Sequence, residues 1–140
     1  LESGMVDSYV NRKHGKETYE FEHPVLKEVL DETYGVITYQ EQIMRILNKL
    51  GGIELSKSYA VIKAISKKMH DKIEAGRADW MKGCAERGVS EETAKDIFEK
   101  IVFFAGYGFN KCVSSGTEIV DADTGEVTTV GELFATHRGV

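Results

Sequence analysis

Apolar residues along most of this chain recur at the spacing of an amphipathic helix. Such stretches lie at roughly 24–34, 40–50, 56–67, 70–87 and 91–104, and glycines follow several of them. Pro24 suits the first turn of the first helix, and Ser90 suits the N-cap of the last. The pattern therefore predicts five helices that pack through their apolar faces.

The same spacing predicts which side chains are buried. Cys84 falls on the apolar face of its helix, so we expect a core thiol there rather than a nucleophile. The predicted buried set over the last three helices is Tyr59, Val61, Ile62, Ile65, Ile73, Trp80, Met81, Cys84, Ala94, Ile97, Phe98, Ile101, Val102 and Phe104.

Three parts of the chain lack the helical pattern. Residues 1–22 are polar and weakly periodic, and we expect a solvated loop there. Residues 36–39 are β-rich and predict a short extended segment. Thr117–Val120 and Glu126–Val130 are strand-like and flank a polar turn, which predicts a β-hairpin, and 131–134 predicts a short helical turn. The expected fold class is mainly α, with a β-hairpin after residue 111.

Charge divides the chain into two domains at the same place. Residues 1–111 carry 17 Lys+Arg and 18 Asp+Glu, whereas residues 112–140 carry one Arg and five acids, within a net charge of −5. The two cysteines have no metal-ligand spacing and are too few for a disulfide scaffold, so a reduced, cytoplasmic setting is expected. No apolar run is long enough to predict a membrane span. Leu1 and the polar start that follows it indicate a piece of a longer protein.

One predicted helix is strongly basic. Five lysines and one acid lie between Leu55 and Lys72, and Lys63 and Lys67, four apart, share one face. A run of charge is usually a solvated face, and phosphate binding is the functional alternative.

A glycine-rich stretch, residues 103–112, joins the last helix to the hairpin. Gly106 and Gly108 permit backbone angles that other residues avoid and let a ligand approach the main chain. Tyr107 offers a flat face, and Asn110 and Lys111 offer hydrogen bonds and charge. The alternative is a C-cap glycine followed by a packed aromatic turn.

The stretch Phe-Ala-Gly-Tyr-Gly-Phe-Asn-Lys at 104–111 resembles a signature of the bacterial DNA polymerase III alpha subunits, the C-family polymerases. Three upstream segments resemble the same family in the same order. They are residues 3–15, the Tyr-Gly-Val-Ile-Thr-Tyr-Gln-Glu-Gln element at 34–42, and the basic Lys-Ala-Ile-Ser-Lys-Lys at 63–68. The resemblance therefore covers residues 1–111 in one register.

This resemblance implies a helical fragment, residues 1–111, from the fingers region of a replicative DNA polymerase, a template-directed nucleotidyltransferase. It implies that the parent protein uses Mg²⁺, held by palm aspartates upstream, and that this fragment binds no metal or cofactor and is inactive alone. The implied partners are the primer–template DNA, dNTP and the rest of the polymerase chain, with no membrane. The implied nucleotide-binding residues are Lys63, Lys67, Lys68, Tyr107, Asn110 and Lys111. Gln40 and Gln42 are weaker candidates, and without the resemblance they are interpreted as ordinary surface residues.

Three positions depart from the family pattern. Many members carry two arginines where this chain has Ile62 and Lys63, and a glycine where it has Ser66. Lysine binds phosphate as a point charge and lacks the bidentate fork of arginine. The mode of phosphate contact is therefore expected to differ here.

The sequence reads Cys-Val-Ser-Ser-Gly-Thr-Glu-Ile at 112–119, Asp-Thr-Gly at 123–125 and Val-Gly-Glu-Leu at 130–133. This pattern resembles the N-terminal splicing block of an intein, the start of a Hint-type fold. The resemblance implies that residues 112–140 are a truncated intein segment, that Cys112 is the splicing nucleophile, and that Lys111 and Cys112 form the splice junction. The Cys112 thiol would attack the Lys111 carbonyl and convert the peptide bond between the two residues to a thioester. The implied partner is a C-terminal intein portion.

Two alternatives stay open on the sequence alone. The chain could be a non-catalytic helical module that binds nucleic acid through the basic helix predicted at 56–67, which we call the lysine helix. The hairpin could also be a structural cap with an inert Cys112.

Overall fold

A computed structural model describes residues 5–106, 108, 114–120 and 127–136. The chain divides into two compact units, Leu1–Asn110 and Lys111–Val140. The described part is mainly helical and has a small two-stranded sheet, as predicted. None of its helices is both long enough and apolar enough to cross a membrane.

The first unit contains six α-helices within its described residues. They are α1 (Met5–Lys13), α2 (Pro24–Leu30), α3 (Gln40–Gly51), α4 (Leu55–Ser66), α5 (His70–Glu86) and α6 (Glu91–Ala105), with a 3₁₀ turn at Asp31–Thr33 after α2. The five predicted helices are confirmed, and their observed ends differ from the predicted ones by a few residues at most. Ser90 caps α6 as predicted, because its side chain accepts a hydrogen bond from the Thr93 amide.

The core lies where α3, α5 and α6 pack together. Ile43, Ile46 and Leu47 of α3 are completely buried. Trp80 of α5 is also completely buried, and its indole Nε1–H donates to the Ala94 carbonyl over 2.8 Å. Such a bond removes the cost of burying the indole N–H, so the ring contributes its full apolar area to the core.

The helices α3 and α5 cross with their backbones in contact. A methyl group on Gly83 would overlap the carbonyl oxygen of Gly51, and one on Gly51 would lie 2.5 Å from the Trp80 ring. Both positions therefore require glycine for packing.

Most of the predicted core is confirmed, and Tyr59 is a correction. The buried positions of α4 are Ser58, Val61, Ile62, Ala64 and Ile65. Tyr59 lies one position off this face and is 44% exposed. Cys84 is completely buried as predicted, and desolvation raises the pKa of its thiol to about 11.

The prediction of a loop over residues 1–22 is wrong in part. Met5–Lys13 is a helix with no buried residue, so its sequence has no apolar stripe from which a helix could be predicted. Arg12 ties its end to the protein, because Nε pairs with Glu17 over 2.7 Å and a second nitrogen donates to the Tyr34 carbonyl over 3.3 Å. The same guanidinium lies 4.9 Å from the centroid of the Tyr19 ring. Arg12 therefore has a structural role.

The second unit is a hairpin followed by a helix. Strands β1 (Glu118–Val120) and β2 (Val127–Thr129) pair antiparallel, with Ile119 opposite Thr128, and α7 (Val130–Thr136) follows. Thr129 and Glu132 form a reciprocal capping box. The Glu132 amide donates to the Thr129 hydroxyl and the Thr129 amide to the Glu132 carboxylate. These bonds from Thr129 hold the pKa of Glu132 below its usual value. The predicted hairpin and short helical turn are confirmed.

Candidate functional site

Three helix ends meet at one end of the first unit. The Ser66 hydroxyl at the end of α4 donates to the carbonyl of Ala105 at the end of α6, over 3.2 Å. Gly108 lies against the start of α3, where a Cβ on it would come within 3.0 Å of Gln40 Cγ and 3.4 Å of the Gln40 amide nitrogen. We call this meeting point of Gln40, Ser66, Ala105 and Gly108 the junction. It brings the lysine helix and the glycine-rich stretch together.

The three predicted lysines surround the end of α4. Lys63 is in its last turn, Lys67 is its C-cap and Lys68 follows, and all three residues are exposed. In the described part of the chain, no carboxylate lies within ion-pair distance of their ammonium groups. The carbonyls at a helix C-terminus favour nearby cations. Part of their role is therefore to stabilise α4.

Lys68 occupies a backbone conformation that usually belongs to glycine. Its φ is +54°, in the left-handed region. The Lys68 amide donates to the Ile65 carbonyl and the Met69 amide to the Ala64 carbonyl, each over 2.9 Å. This is a Schellman arrangement with lysine where glycine is common. The chain keeps a cation here at a cost in backbone strain.

Gly106 does not use the freedom that its lack of a side chain provides. It has φ −75° and ψ −16°, an ordinary right-handed conformation, and no atom of the described residues lies within 4 Å of where a Cβ would be. Gly106 is the C-cap of α6, as the alternative of a C-cap glycine predicted. Neither its conformation nor its packing against the described residues demands glycine there. Tyr107, Asn110, Lys111 and Cys112 lie outside the described residues.

The two predicted glutamines differ in their surroundings. Gln42, interpreted from the sequence as an ordinary surface residue or a weak nucleotide contact, is 2% exposed. Its Oε1 accepts from the Thr38 and Tyr39 amides over 2.9 and 3.0 Å, and its Nε2 donates to the Thr33 hydroxyl over 2.8 Å. Gln42 therefore fixes the turn before α3, and the surface interpretation is corrected. Gln40 is half-buried at the junction.

Sequence reasoning missed one exposed residue beside the lysines. Tyr59 lies one turn before Lys63, whose ammonium nitrogen is 4.7 Å from the centroid of its ring. Apolar spacing gave no signal for this, because the buried face of α4 includes the polar Ser58, and this leaves Tyr59 outside it. Within the described residues, no group of three or more His, Cys, Asp and Glu side chains could hold a metal ion.

Comparison with known proteins establishes the class. The family described as the bacterial DNA polymerase III alpha subunit finger domain matches residues 1–88. This chain therefore belongs to that family, and it corresponds to the fingers region of the alpha subunit. The family membership expected from the sequence is confirmed.

Individual relatives agree with this assignment. The DNA polymerase III subunit alpha of Campylobacter jejuni is 40% identical over 129 residues, which cover 92% of this chain and 11% of that protein. The subunit of Aquifex aeolicus is 45% identical over 111 residues, 79% of this chain and 10% of that protein. That of Escherichia coli (strain K12) is 39% identical over 129 residues, 89% of this chain and 11% of that protein. The chain spans about a tenth of the length of these relatives.

Proposed function

We propose that this chain supplies part of the dNTP-binding surface of a replicative DNA-directed DNA polymerase. The single observation that carries the proposal is the cluster of exposed lysines at the end of α4, beside the junction with the glycine-rich stretch. Lys63, Lys67 and Lys68 would neutralise triphosphate oxygens, and the parent protein would act in the cytoplasm on primer–template DNA. We also propose nucleotide contacts for Tyr107, Asn110 and Lys111, which lie outside the described residues, and for Gln40 at the junction.

Mg²⁺ would belong to the parent polymerase, where it would stabilise the attacking and leaving oxygens of nucleotidyl transfer. We assign none of the described residues to that ion. The task of this chain would be to hold and neutralise the triphosphate.

The strain at Lys68 favours a ligand role over a purely structural one. A cation that only stabilised the end of α4 could stand at Lys63, in the last turn of the helix, without a left-handed backbone. A non-glycine residue in the left-handed region costs about 1–2 kcal/mol. Strain of this kind is found preferentially at functional sites.

Replacing Lys63 and Lys67 with Ala in the full-length polymerase tests this function. A charge-assisted contact contributes roughly 1.5–3 kcal/mol, so the double variant should lose about tenfold or more in kcat/KM for dNTP. The matched control replaces Lys82 and Lys95, two exposed lysines on α5 and α6, with Ala and should change kcat/KM less than twofold. Steady-state primer extension at varied dNTP is the measurement. An unchanged kcat/KM in the Lys63/Lys67 variant would show that these lysines form a solvated face and do not contact dNTP.

For the second unit we infer the beginning of an intein with a Hint-type fold, with Lys111 and Cys112 as its splice junction. Three observations support this: the change of charge at residue 112, the β-hairpin that follows it, and the division of the chain into two units beside it. One observation opposes it. A match of 129 residues in a chain of 140, as with the Campylobacter jejuni subunit, must run past Cys112. The Aquifex aeolicus match, by contrast, has 111 residues.

The intein proposal has a direct chemical test. Mixed with a complementary C-terminal intein portion, the chain should form a thioester at Lys111–Cys112, and dithiothreitol should then release residues 1–111. Cys112→Ala should abolish the release, because a methyl group cannot attack a carbonyl. The control Cys84→Ala should leave it intact. Mass spectrometry that finds equal cleavage in the Cys112→Ala variant would rule the proposal out.

A further inference from the structure

We propose that an exposed stripe along α4 binds single-stranded nucleic acid, with Tyr59 stacking on a base and the lysines contacting phosphates. The stripe consists of Leu55, Tyr59, Lys63 and Lys67. It adds a strand-binding surface to the dNTP-binding role inferred for the end of the same helix.

The four residues form a line because they are four positions apart. Successive members lie about 6 Å apart along the helix axis. Leu55 is 50% exposed and Tyr59 is 44% exposed. The core contacts of α4 come from Ser58, Ile62 and Ile65 and their neighbours, so the Tyr59 ring is not needed for packing. A large aromatic side chain is thus displayed on the surface with no structural demand for it.

The Tyr59 ring and the Lys63 ammonium form one composite surface. The ammonium nitrogen lies 4.7 Å from the ring centroid, a cation–π distance. An aromatic face supports an unpaired base, and an adjacent cation meets the phosphate of the same strand. Lys67 extends the positive charge one turn further, towards the junction.

Charge complementarity selects the occupant. Five lysines and one acid lie between Leu55 and Lys72 in a chain of net charge −5, so positive charge is concentrated on α4, the turn that follows it and the start of α5. The partner is therefore a polyanion. An acidic peptide would use the lysines and leave the Tyr59 ring without a partner of matching shape. In duplex DNA the base faces are already stacked, whereas a single strand offers them to Tyr59.

This inference rests on the proposed function in one respect: the single strand would be DNA that the parent polymerase copies. The two roles share Lys63 and Lys67, but each also uses residues that the other does not, so they can be tested separately. Tyr59 and Leu55 belong to the stripe alone, and Lys68 belongs to the dNTP-binding cluster alone.

The test is the affinity of the 140-residue chain for a fluorescent 20-nucleotide oligodeoxythymidylate, measured by anisotropy at several salt concentrations. Tyr59→Ala should weaken binding at least about fivefold, because one stacked base is lost. Tyr59→Phe keeps the aromatic face and should stay within twofold of the parent chain. Lys63→Ala should lower the slope of log affinity against log salt by about 0.7, the loss of one phosphate contact. Lys95→Ala, an exposed lysine on α6, should change neither quantity.

Several outcomes would overturn the inference: no binding of the oligonucleotide at low salt, equal affinities for the parent chain and Tyr59→Ala, or a loss in Tyr59→Ala that Tyr59→Phe does not restore. Tighter binding of a 20-base-pair duplex than of the single strand would also overturn it. Circular dichroism of each variant confirms that the helices are intact. If the Lys63/Lys67 variant of the polymerase keeps its dNTP kinetics while Tyr59→Ala still weakens strand binding, the proposed function fails and this inference stands.

Discussion

Lys68 combines a strained backbone with an exposed charge, and the two properties can be separated by mutation. Its φ of +54° is unfavourable for any residue with a Cβ and is easily adopted by glycine. Glycine at this position would complete the Schellman arrangement without strain. The residue therefore lowers the stability of the protein while it places a cation beyond the end of α4.

We predict that Lys68→Gly raises the free energy of unfolding by about 1 kcal/mol, because the strain disappears. Lys68→Ala retains the Cβ and the strain, so it should stay within about 0.5 kcal/mol of the parent chain. Urea denaturation measures both. In the full-length polymerase the two variants should weaken dNTP use equally, since both lack the ammonium. Equal stabilities of the two variants would contradict the strain argument.

Gln42 makes a second prediction at the residue scale. Gln42→Leu has nearly the same volume, but it removes the oxygen that accepts from the Thr38 and Tyr39 amides and the nitrogen that donates to the buried Thr33 hydroxyl. We expect the free energy of unfolding to fall by about 2–4 kcal/mol. Gln40→Ala, a neighbouring glutamine, is the control and should cost less than about 1 kcal/mol. Similar urea midpoints for the two variants would show that the Gln42 hydrogen bonds contribute little.

At the scale of elements, the crossing of α3 and α5 sets the position of the core. Gly51 and Gly83 bring the two backbones into contact, and the Trp80 ring lies against Gly51. Since α4 connects these two helices, the separation of α3 and α5 also determines where the lysine helix ends. The stability of this crossing therefore bears on the geometry of the junction.

Gly83→Ala should lower the free energy of unfolding by about 3 kcal/mol, because the added methyl group overlaps the Gly51 carbonyl and the helices must separate. Gly106→Ala is the matched control. Its backbone is right-handed and the surrounding space is open, so it should change stability by no more than about 0.5 kcal/mol or raise it slightly. Thermal unfolding followed by circular dichroism distinguishes the two. An unchanged Tm for Gly83→Ala would mean that the crossing adjusts without cost.

At the scale of the whole molecule, the buried Cys84 thiol reports on the cooperative unfolding of the first unit. Burial raises its pKa from 9.0 to about 11, so the folded state holds the proton more tightly than the unfolded chain. Below pH 9 both states are protonated and this contribution to stability is complete. Between pH 9 and pH 11 the unfolded thiol ionises first, and the contribution is lost.

We therefore predict that the free energy of unfolding falls more steeply between pH 9 and pH 11 in the parent chain than in Cys84→Ala. The difference should reach about 2 kcal/mol at pH 11. Urea midpoints at half-unit pH intervals provide the comparison, and only the difference in slope is informative because alanine also leaves a small cavity. Parallel pH profiles would show that the thiol does not couple to folding.

The isolated chain should have no polymerase activity, because it spans about a tenth of the length of its relatives and we expect Mg²⁺ to be held by aspartates in the palm of the parent polymerase. Primer extension with Mg²⁺ and all four dNTPs is the measurement. Incorporation above the level of a denatured sample of the chain would contradict this expectation.

The sequence by itself determined the number and limits of the five main helices, the hairpin and the family. Apolar spacing reports burial on one side of a helix, and each of these helices buries one side. The helix Met5–Lys13 buries no residue, so its pattern carries no such signal. The lysine cluster was also predictable, because its lysines are close together in the sequence and follow the apolar pattern of one helix.

Only the tertiary structure decided which polar and aromatic side chains are buried and which are exposed. Gln42 is buried because the turn before α3 supplies partners for its amide, and Tyr59 is exposed because the small Ser58 faces the core instead. The junction likewise depends on the Ser66–Ala105 hydrogen bond, between residues 39 apart in the sequence. Contacts between distant residues depend on how the helices pack, and the period of a single helix does not encode that packing.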